Sequence, residues 1–350
     1  MKKVIVSGGA GFIGSNLVDR LVGKANEVVV IDDLSKAGAT TNLAWLRAKH
    51  GSDAFRFFQE DVADFAPVSG ALKDADIVFH LAGQVAVTTS ISNPRADFVS
   101  NALGSLNMLE AARLYGNDPL FVLSSTNKVY GSLANLNIIE DPSRYRLADY
   151  PNGIPEAHPL DFHSPYGCSK GTADCYTRDY ARTYNLRSVI VRQSCIYGPH
   201  QHGNEEQGWL AWFTRAARDG RPLTIYGDGK QVRDVLHIDD LLDLYESIVR
   251  HRATVAGHVF NIGGGPANTI SIWHELAPML EELLGRKPEV RYREARQGDQ
   301  KVFISDITKA RRELGWQPHV SVAAGLAKLC EHLDSEPTPT SGNGVRAVGP

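Results

Sequence analysis

Tyr166 and Lys170 stand four residues apart at the start of a helical pattern, Tyr166-Gly167-Cys168-Ser169-Lys170. Their side chains therefore share one helical face, a turn apart. That pairing suits proton removal from an alcohol. A phenol with an ordinary pKa near ~10 is a poor base at neutral pH, and a neighbouring ammonium favours its phenolate. Ser124-Ser125-Thr126 ends an apolar run upstream. A hydroxyl such as that of Thr126 can hold a substrate oxygen while Tyr166 takes its proton and a hydride departs. Alone, the spacing says little, because a packing tyrosine and a solvated lysine meet at this interval in many helices. Its weight comes from what precedes it in the chain.

Gly8-Gly9-Ala10-Gly11-Phe12-Ile13-Gly14 lies between the apolar run Val4-Ile5-Val6 and a segment with Leu17, Val18, Leu21 and Val22 at helical spacing. At such a junction Gly8 permits a tight turn, Gly11 lets a pyrophosphate approach the backbone, and Gly14 allows close helix packing. The phosphates then rest on the helix N-terminus. The spacing is Gly-x-x-Gly-x-x-Gly, not the commoner Gly-x-Gly-x-x-Gly. Asp32 ends the second strand pattern, 18 residues beyond Gly14. A carboxylate there accepts hydrogen bonds from the adenosine ribose and repels a 2′-phosphate. Neither Asp33 nor Leu34 offers an arginine to clamp such a phosphate. NAD is therefore the expected cofactor, with Asp61 in reach of the adenine edge and Lys170 also able to bind the nicotinamide ribose.

The elements that must position these groups alternate along the chain. Val28-Val29-Val30-Ile31, Phe55 to Phe58, Ile77 to Leu81, Leu120 to Ser125 and Ser188 to Val191 read as strands. Ser92 to Tyr115 and Tyr166 to Tyr184 read as helices. Strands apolar on both faces, alternating with helices, imply an α/β fold whose parallel sheet is covered on both sides. The second half is less regular. It carries a polar loop over 198–208, helical patterns over 208–219, 238–251, 271–284 and 305–314, and a strand from Val259 to Ile262 cut off by three glycines. Ser271 is a plausible N-cap, and Gly315 closes the 305–314 helix. From Ser335 onward the chain is Pro, Thr, Ser and Gly with little to bury, and disorder is expected.

A chain of 350 residues fits one large domain plus a smaller one. The formal net charge of -3 gives no reason to expect nucleic acid or an anionic membrane as partner. Cys168, Cys175, Cys195 and Cys330 form no Cys-x-x-Cys pair. No leader pattern precedes the first strand and no apolar run approaches the roughly 20 residues of a membrane span, so a reducing cytoplasm is expected. His200 and His202 invite a metal reading, but no Cys or carboxylate cluster accompanies them, and no metal is expected.

With these motifs in place the chain resembles the extended short-chain dehydrogenases/reductases over about residues 1–332. The resemblance rests on Gly8 to Gly14, His80-Leu81-Ala82-Gly83, Ser125-Thr126, Val129-Tyr130-Gly131, Tyr166 with Lys170, and Gly227 to His237. Longer strings are similar to the CDP-tyvelose (CDP-paratose) 2-epimerase group: Ser124 to Gly131, Leu160 to Gly171, Arg192 to Pro199, and Glu206-Gln207-Gly208-Trp209. The resemblance implies a Rossmann-type doubly wound sheet with a smaller, discontinuous α/β substrate domain. Residues 1–192, with about 232–262 returning, would hold NAD; about 193–231 and 263–334 would hold the nucleotide sugar. It implies Thr126 as the substrate-binding hydroxyl, Tyr166 as the base and Lys170 as its partner. Gly8, Gly11, Phe12, Ile13, Gly14, Asp32, Asp61, Val62, Leu81, Ala82 and Gly83 would line the cofactor, with Tyr166 and Lys170. Thr126, Asn127, His163, Ser194, Cys195, Gln207, Trp209, Arg233 and Arg296 would line the substrate. Arg233 would meet the diphosphate and Arg296 the nucleotide; arginine suits both, since its planar fork pairs with phosphate oxygens.

The implied activity is epimerisation of a nucleotide-diphosphate sugar at C2, by transient oxidation and hydride return, in a homodimer. A 4-epimerase shares the same trio of residues and is the main alternative; a non-catalytic NAD-binding scaffold is another. The similar 4,6-dehydratases carry Asp-Glu after the threonine, where this chain has Asn127-Lys128; Asn cannot protonate a leaving hydroxyl at neutral pH and Lys carries the opposite charge, which takes most of the support from that reading. Asp32 generates the first expected outcome. Cofactor-stripped protein titrated with NAD and NADP binds NAD at least about tenfold more tightly, because the carboxylate opposes a 2′-phosphate at close range. Equal affinities would remove Asp32 from the site.

Overall fold

Val4 and Val6 bury themselves on one side of the first strand and Ile5 on the other. The next strand repeats this with Val28 and Val30 against Val29 and Ile31. Strands greasy on both faces must be covered on both faces, which is what the computed structural model shows for the residues it describes, 1–24, 26–296 and 299–335. The main sheet comprises β1 (Lys3–Ser7), β2 (Glu27–Ile31), β3 (Arg56–Phe58), β4 (Ile77–His80) and β5 (Leu120–Thr126). After a small hairpin, β6 (Ile138–Glu140) with β7 (Tyr145–Leu147), come β8 (Arg187–Gln193) and, beyond β9 (Cys195–Tyr197), β10 (Leu223–Tyr226) and β11 (Val232–His237), β12 (His258–Ile262). The sheet order is β12-β8-β5-β4-β1-β2-β3, and every pairing in it is parallel. Strand order reverses between β1 and β4, which opens a crevice over the strands' carboxyl ends.

Helices α1 (Phe12–Val22) and α2 (Ala39–His50) cover one face; α3 (Phe65–Ala71) covers the other. The helical pattern expected from Ser92 to Tyr115 is divided. α4 (Val87–Ser92) ends at Asn93, whose side chain caps α5 (Pro94–Phe98) by accepting from the Ala96 N–H at 3.2 Å. A π-turn over Val99–Leu103 then leads into α6 (Gly104–Tyr115). α7 (Ser164–Thr183) packs beside α6 on the same face as α3. α8 (Trp209–Arg218) lies with β10 in a separate cluster, whereas α9 (Ile238–Arg250) returns to the main sheet beside α1.

The smaller assembly pairs β11 with β9, with β13 (Thr269–Ser271) and with β15 (Val302–Phe303), and pairs β10 with β14 (Val290–Arg293). α8, α10 (Leu276–Leu284) and α12 (Val322–Ser335) enclose its core of Leu210, Phe213, Leu223, Trp273, Leu280 and Leu326. α11 (Thr308–Leu314) packs on the main sheet's side and ends at Gly315, φ +61°, as its spacing predicts. Ser271 is not the N-cap of a helix starting there. It ends β13, and the helix begins at Leu276. Its hydroxyl accepts from the Glu275 N–H at 2.9 Å while the Glu275 carboxylate accepts from the Ser271 N–H at 2.8 Å, a reciprocal pair that closes the intervening turn. Ser335 belongs to α12, and the rest of the tail, 336–350, lies outside the described residues.

One buried network registers the centre of this scaffold. The Arg192 guanidinium on β8 donates from Nε and Nη2 to the two Asp174 oxygens on α7, each at 2.8 Å, with both side chains almost fully buried. Ser125 of β5 donates to the same carboxylate at 3.0 Å. Arg192 Nη1 donates to the Tyr130 hydroxyl at 2.9 Å, which in turn donates to Asn261 of β12 at 2.8 Å. Removing one partner strands a buried charge. Arg192→Met therefore lowers unfolding stability by about 3–5 kcal/mol in a urea titration; a loss below about 1 kcal/mol would show that water reaches the pair.

Candidate active site

The glycine loop sits at the end of β1, at the strand-order reversal. Gly8 has φ +70°, and a Cβ on it would come 2.7 Å from the Ala82 nitrogen. A Cβ on Gly14 would lie 2.1 Å from the Gly8 carbonyl oxygen, so a side chain there would force α1 off the loop. Gly11, the N-cap of α1, differs: a Cβ there would meet only the Gly8 oxygen, at 3.2 Å, and otherwise open space facing the cleft. That space and the free N–H groups of the first helical turn fit a dinucleotide pyrophosphate.

Asp32, only 8% exposed, closes the loop from below. Its two oxygens accept from the Ala10 and Leu34 N–H groups, each at 2.9 Å. Burial raises its carboxyl pKa, and the backbone donors oppose that rise. Asp61 is exposed at the cleft, held in a turn by the Ala63 N–H at 2.9 Å, while Val62 is buried against Gly104. Leu81, Ala82 and Gly83 follow β4 and line the cleft, as do Phe12 and Ile13. Beneath them His80 bridges Ser7 at 2.7 Å and Ser105 at 2.9 Å. Burial, helped by the Lys170 charge, pushes its pKa down to about 3, so this ring is a neutral structural bridge.

β5 delivers Thr126 and the first turn of α7 delivers Tyr166, and both side chains line the same cleft. Both are buried, as is Lys170, whose ammonium donates to the Ser124 carbonyl at 2.6 Å. The electrostatic assistance expected from Lys170 is not what dominates here. Burial pushes the Tyr166 phenol up to about 12, and burial pushes Lys170 down to about 8. Behind α7, Ser169 donates to Asp97 at 2.6 Å, and the Asn101 amide donates to Asp97 and Ser169, both at 3.1 Å. Asn101 lies in the π-turn, a feature frequent at functional sites, and its carbonyl oxygen faces Gly83.

The substrate side is built by β9, β11 and α8. Arg233 is buried and donates to Asp299 at 2.7 Å. Arg296 donates to the Glu205 carbonyl at 2.9 Å, with its guanidinium 4.2 Å from the Tyr226 ring centre. Trp209 donates its indole N–H to the Cys195 sulfur at 3.4 Å, and burial pushes that thiol up, away from nucleophile chemistry. Asn127 is buried beside Thr126. Ser194 faces the cleft, but its hydroxyl is committed to the buried Asp234 carboxylate at 2.5 Å. Gln207 lines the mouth, its backbone bridged to Asn204. His163 is exposed at the mouth and precedes α7 without a side-chain capping bond. Among the described residues no three His, Cys, Asp or Glu side chains group as metal ligands; His202 bonds Asn42 at 3.0 Å and His200 stacks on Trp45 at 3.6 Å.

A cleft of about 1270 Å³ is lined by every site residue expected from the sequence, from Gly8 and Asp32 through Thr126, Tyr166 and Lys170 to Arg233 and Arg296. Sequence reasoning missed three of its features. Lys128 enters it beside Asp299. Asp97 and Asn101 back α7 through Ser169. Asn42 stitches the two sides together: its amide donates to the carbonyls of Ala10, in the glycine loop, and His200 at 3.1 and 3.3 Å. Only a long-range contact carries that signal, and no spacing reveals it.

Comparison with known proteins agrees with this geometry. A family model described as GDP-mannose 4,6 dehydratase matches residues 5–329. A CDP-paratose 2-epimerase of Salmonella typhi is 42% identical over 340 residues, 95% of this chain and 99% of that one. The crystal structure of a UDP-glucose 4-epimerase from Thermotoga maritima with UDP-glucose superimposes with a TM-score of 0.80 at 33% identity, covering 95% of this chain and 98% of that one. A UDP-glucuronic acid 4-epimerase of Bacillus cereus, in complex with UDP-glucuronic acid and NAD, gives a TM-score of 0.81 at 28% identity, covering 95% and 99%. The matches run over nearly the whole length, and the chain belongs to the GDP-mannose 4,6 dehydratase family of extended short-chain dehydrogenases/reductases.

Proposed function

We propose that this protein is an NAD-dependent epimerase of nucleotide-diphosphate sugars that inverts C2 of the sugar, as a CDP-paratose 2-epimerase does. The observation that carries the reading is the meeting of Thr126, Tyr166 and Lys170 at a cleft that also holds the glycine loop, followed by Asn127-Lys128 where elimination would need an acid and a base. The 42% identity to a 2-epimerase, against 33% to a 4-epimerase, favours C2. Residues 1–192, with about 232–262 returning, hold the cofactor, and about 193–231 and 263–334 hold the nucleotide sugar; at the boundaries β11 pairs within the smaller assembly and α11 packs on the main sheet's side.

NAD, when bound, supplies the hydride acceptor and donor. Asp32 receives the adenosine ribose, and the α1 N-terminus faces the pyrophosphate. Thr126 orients the sugar hydroxyl, Tyr166 takes its proton, and Lys170 steadies the developing phenolate. Burial, with the Asp97 charge adding to it, pushes the phenol up to about 12, so proton removal is favoured by nearby positive charge. Arg233 and Arg296 bind the nucleotide end. After reorientation of the keto-sugar, Tyr166 returns the proton to the same oxygen.

A homodimer is part of this reading: Phe98, Leu103 and Tyr176 stay exposed on neighbouring α5, the π-turn and α7. A cytoplasmic location is supported by four free cysteines. Among the described residues no helix is long and apolar enough to cross a membrane.

Tyr166→Phe keeps the ring and its packing, so NAD and nucleotide sugar bind within about threefold of normal while turnover falls by about 10²–10⁴. Rates near wild type would remove Tyr166 as the base. Deuterium at C2 of the sugar is retained in the product, deuterium at C4 stays in place, and reaction in heavy water adds none to carbon. Solvent deuterium at C2 would mean deprotonation beside a carbonyl instead; label moving from C4 would reassign the enzyme as a 4-epimerase.

A further inference from the structure

We infer that Lys128 is a specificity-determining residue, its ammonium binding the sugar-side phosphate of the nucleotide sugar and thereby holding C2 rather than C4 at Tyr166. The inference rests on the reading of the cleft as a nucleotide-sugar site.

Lys128 lies in the short 3₁₀ turn Asn127–Tyr130 that follows β5 directly. Its backbone N–H donates to the Thr126 hydroxyl oxygen at 3.2 Å, so the lysine is anchored to the group that orients the reacting alcohol. Its side chain reaches into the cleft. The ammonium stands 3.4 Å from the Gln300 carbonyl oxygen and 4.0 Å from Asp299 Oδ1. That same Asp299 oxygen receives the Arg233 guanidinium at 2.7 Å. Two cations therefore face one carboxylate oxygen. Burial lowers the Lys128 pKa, and the nearby Arg233 charge lowers it further. A single carboxylate leaves this corner with surplus positive charge, and a diphosphate supplies the missing anion with oxygens for both donors.

Sugar geometry turns this into a choice of carbon. C2 is bonded to the anomeric carbon that carries the diphosphate, whereas C4 lies across the ring. With C2 at Thr126 and Tyr166, the sugar-side phosphate must lie close beside them. A lysine two positions after Thr126 is placed to meet it there. With C4 at the same point, the phosphate stands a ring's width farther off and the lysine has nothing to hold. Arg233, from β11, then takes the remaining phosphate oxygens.

The test uses NAD-loaded full-length protein and calorimetric titration. CDP, UDP and GDP are compared with their monophosphates, and the tightest diphosphate with its monophosphate forms the probe pair. Lys128→Gln weakens the diphosphate about tenfold or more and the monophosphate less than about threefold, the size of one lost charge-assisted hydrogen bond. Lys128→Arg stays within about threefold of wild type for both. Should the glutamine variant melt well below wild type, Lys128→Met, of similar length and uncharged, replaces it. Undiminished diphosphate affinity, or equal losses for both nucleotides, overturns the phosphate contact. Mass analysis of the cofactor then reads regiochemistry. With wild type, label reaches NAD from C2-deuterated sugar; with Lys128→Gln, a measurable share comes from C4-deuterated sugar. Transfer from C2 alone, at the wild-type ratio, overturns the specificity role. Wild-type transfer from C4 would instead defeat the C2 assignment, and the nucleotide titration would still decide the phosphate contact.

Discussion

The charge pair between Arg192 and Asp174 is the constraint on which the site depends. Two ions from different elements are taken out of water at the centre of the sheet, a cost met only if every donor and acceptor is matched. The match draws in Ser125, Tyr130 and Asn261, and with them β5, α7, β8 and β12. Thr126 is the residue after Ser125, and Tyr166 lies two turns before Asp174 on the same helix. The spacing of the Thr126 hydroxyl and the Tyr166 phenol is thus set by a network buried behind them. Hydrophobic packing alone would leave α7 free to slide along the sheet; the bidentate geometry does not.

Much of this was legible beforehand because it is local. Glycines at fixed intervals after a strand, an acid at the end of the next strand, and a tyrosine and lysine one turn apart all express backbone geometry, and the runs Val4 to Val6 and Val28 to Ile31 announce a doubly covered sheet. What escaped notice is long-range or short-lived in sequence. The smaller assembly is made of strands of two to six residues, too brief for a period to show. The π-turn breaks the helical period it sits in. α2 hides because only Ala39, Asn42, Leu43 and Leu46 of its twelve residues are buried. Ser194 lines the cleft as expected, but its buried acceptor Asp234 stands forty residues on and no spacing announces it. Spacing could not say that desolvation raises the Tyr166 phenol, because burial depends on the whole fold.

Charge in the cleft is mixed at both ends. Asp32 and Asp33 lie with Lys36 beside the glycine loop, and Lys128, Arg233 and Arg296 lie with Asp299, Glu205 and Glu206 at the other end. On the proposed reading, carboxylates suit ribose hydroxyls and cations suit phosphate oxygens, so each group marks the part of a ligand that belongs beside it.

The position of β12 at the edge of the main sheet bears on how the chain is made. β8 is complete at Gln193, but its outer neighbour begins only at His258, after β9, β10 and β11 and the helices between them. During synthesis from the N-terminus, β8 therefore waits as an open edge while dozens of residues of a different lobe emerge. Such an edge is a template for pairing with other chains, and closing it requires a contact of high sequence separation, which is slow. The interval between translation of residues 193 and 262 is thus when the nascent protein is most exposed to misassembly, and when a ribosome-associated chaperone has most to protect.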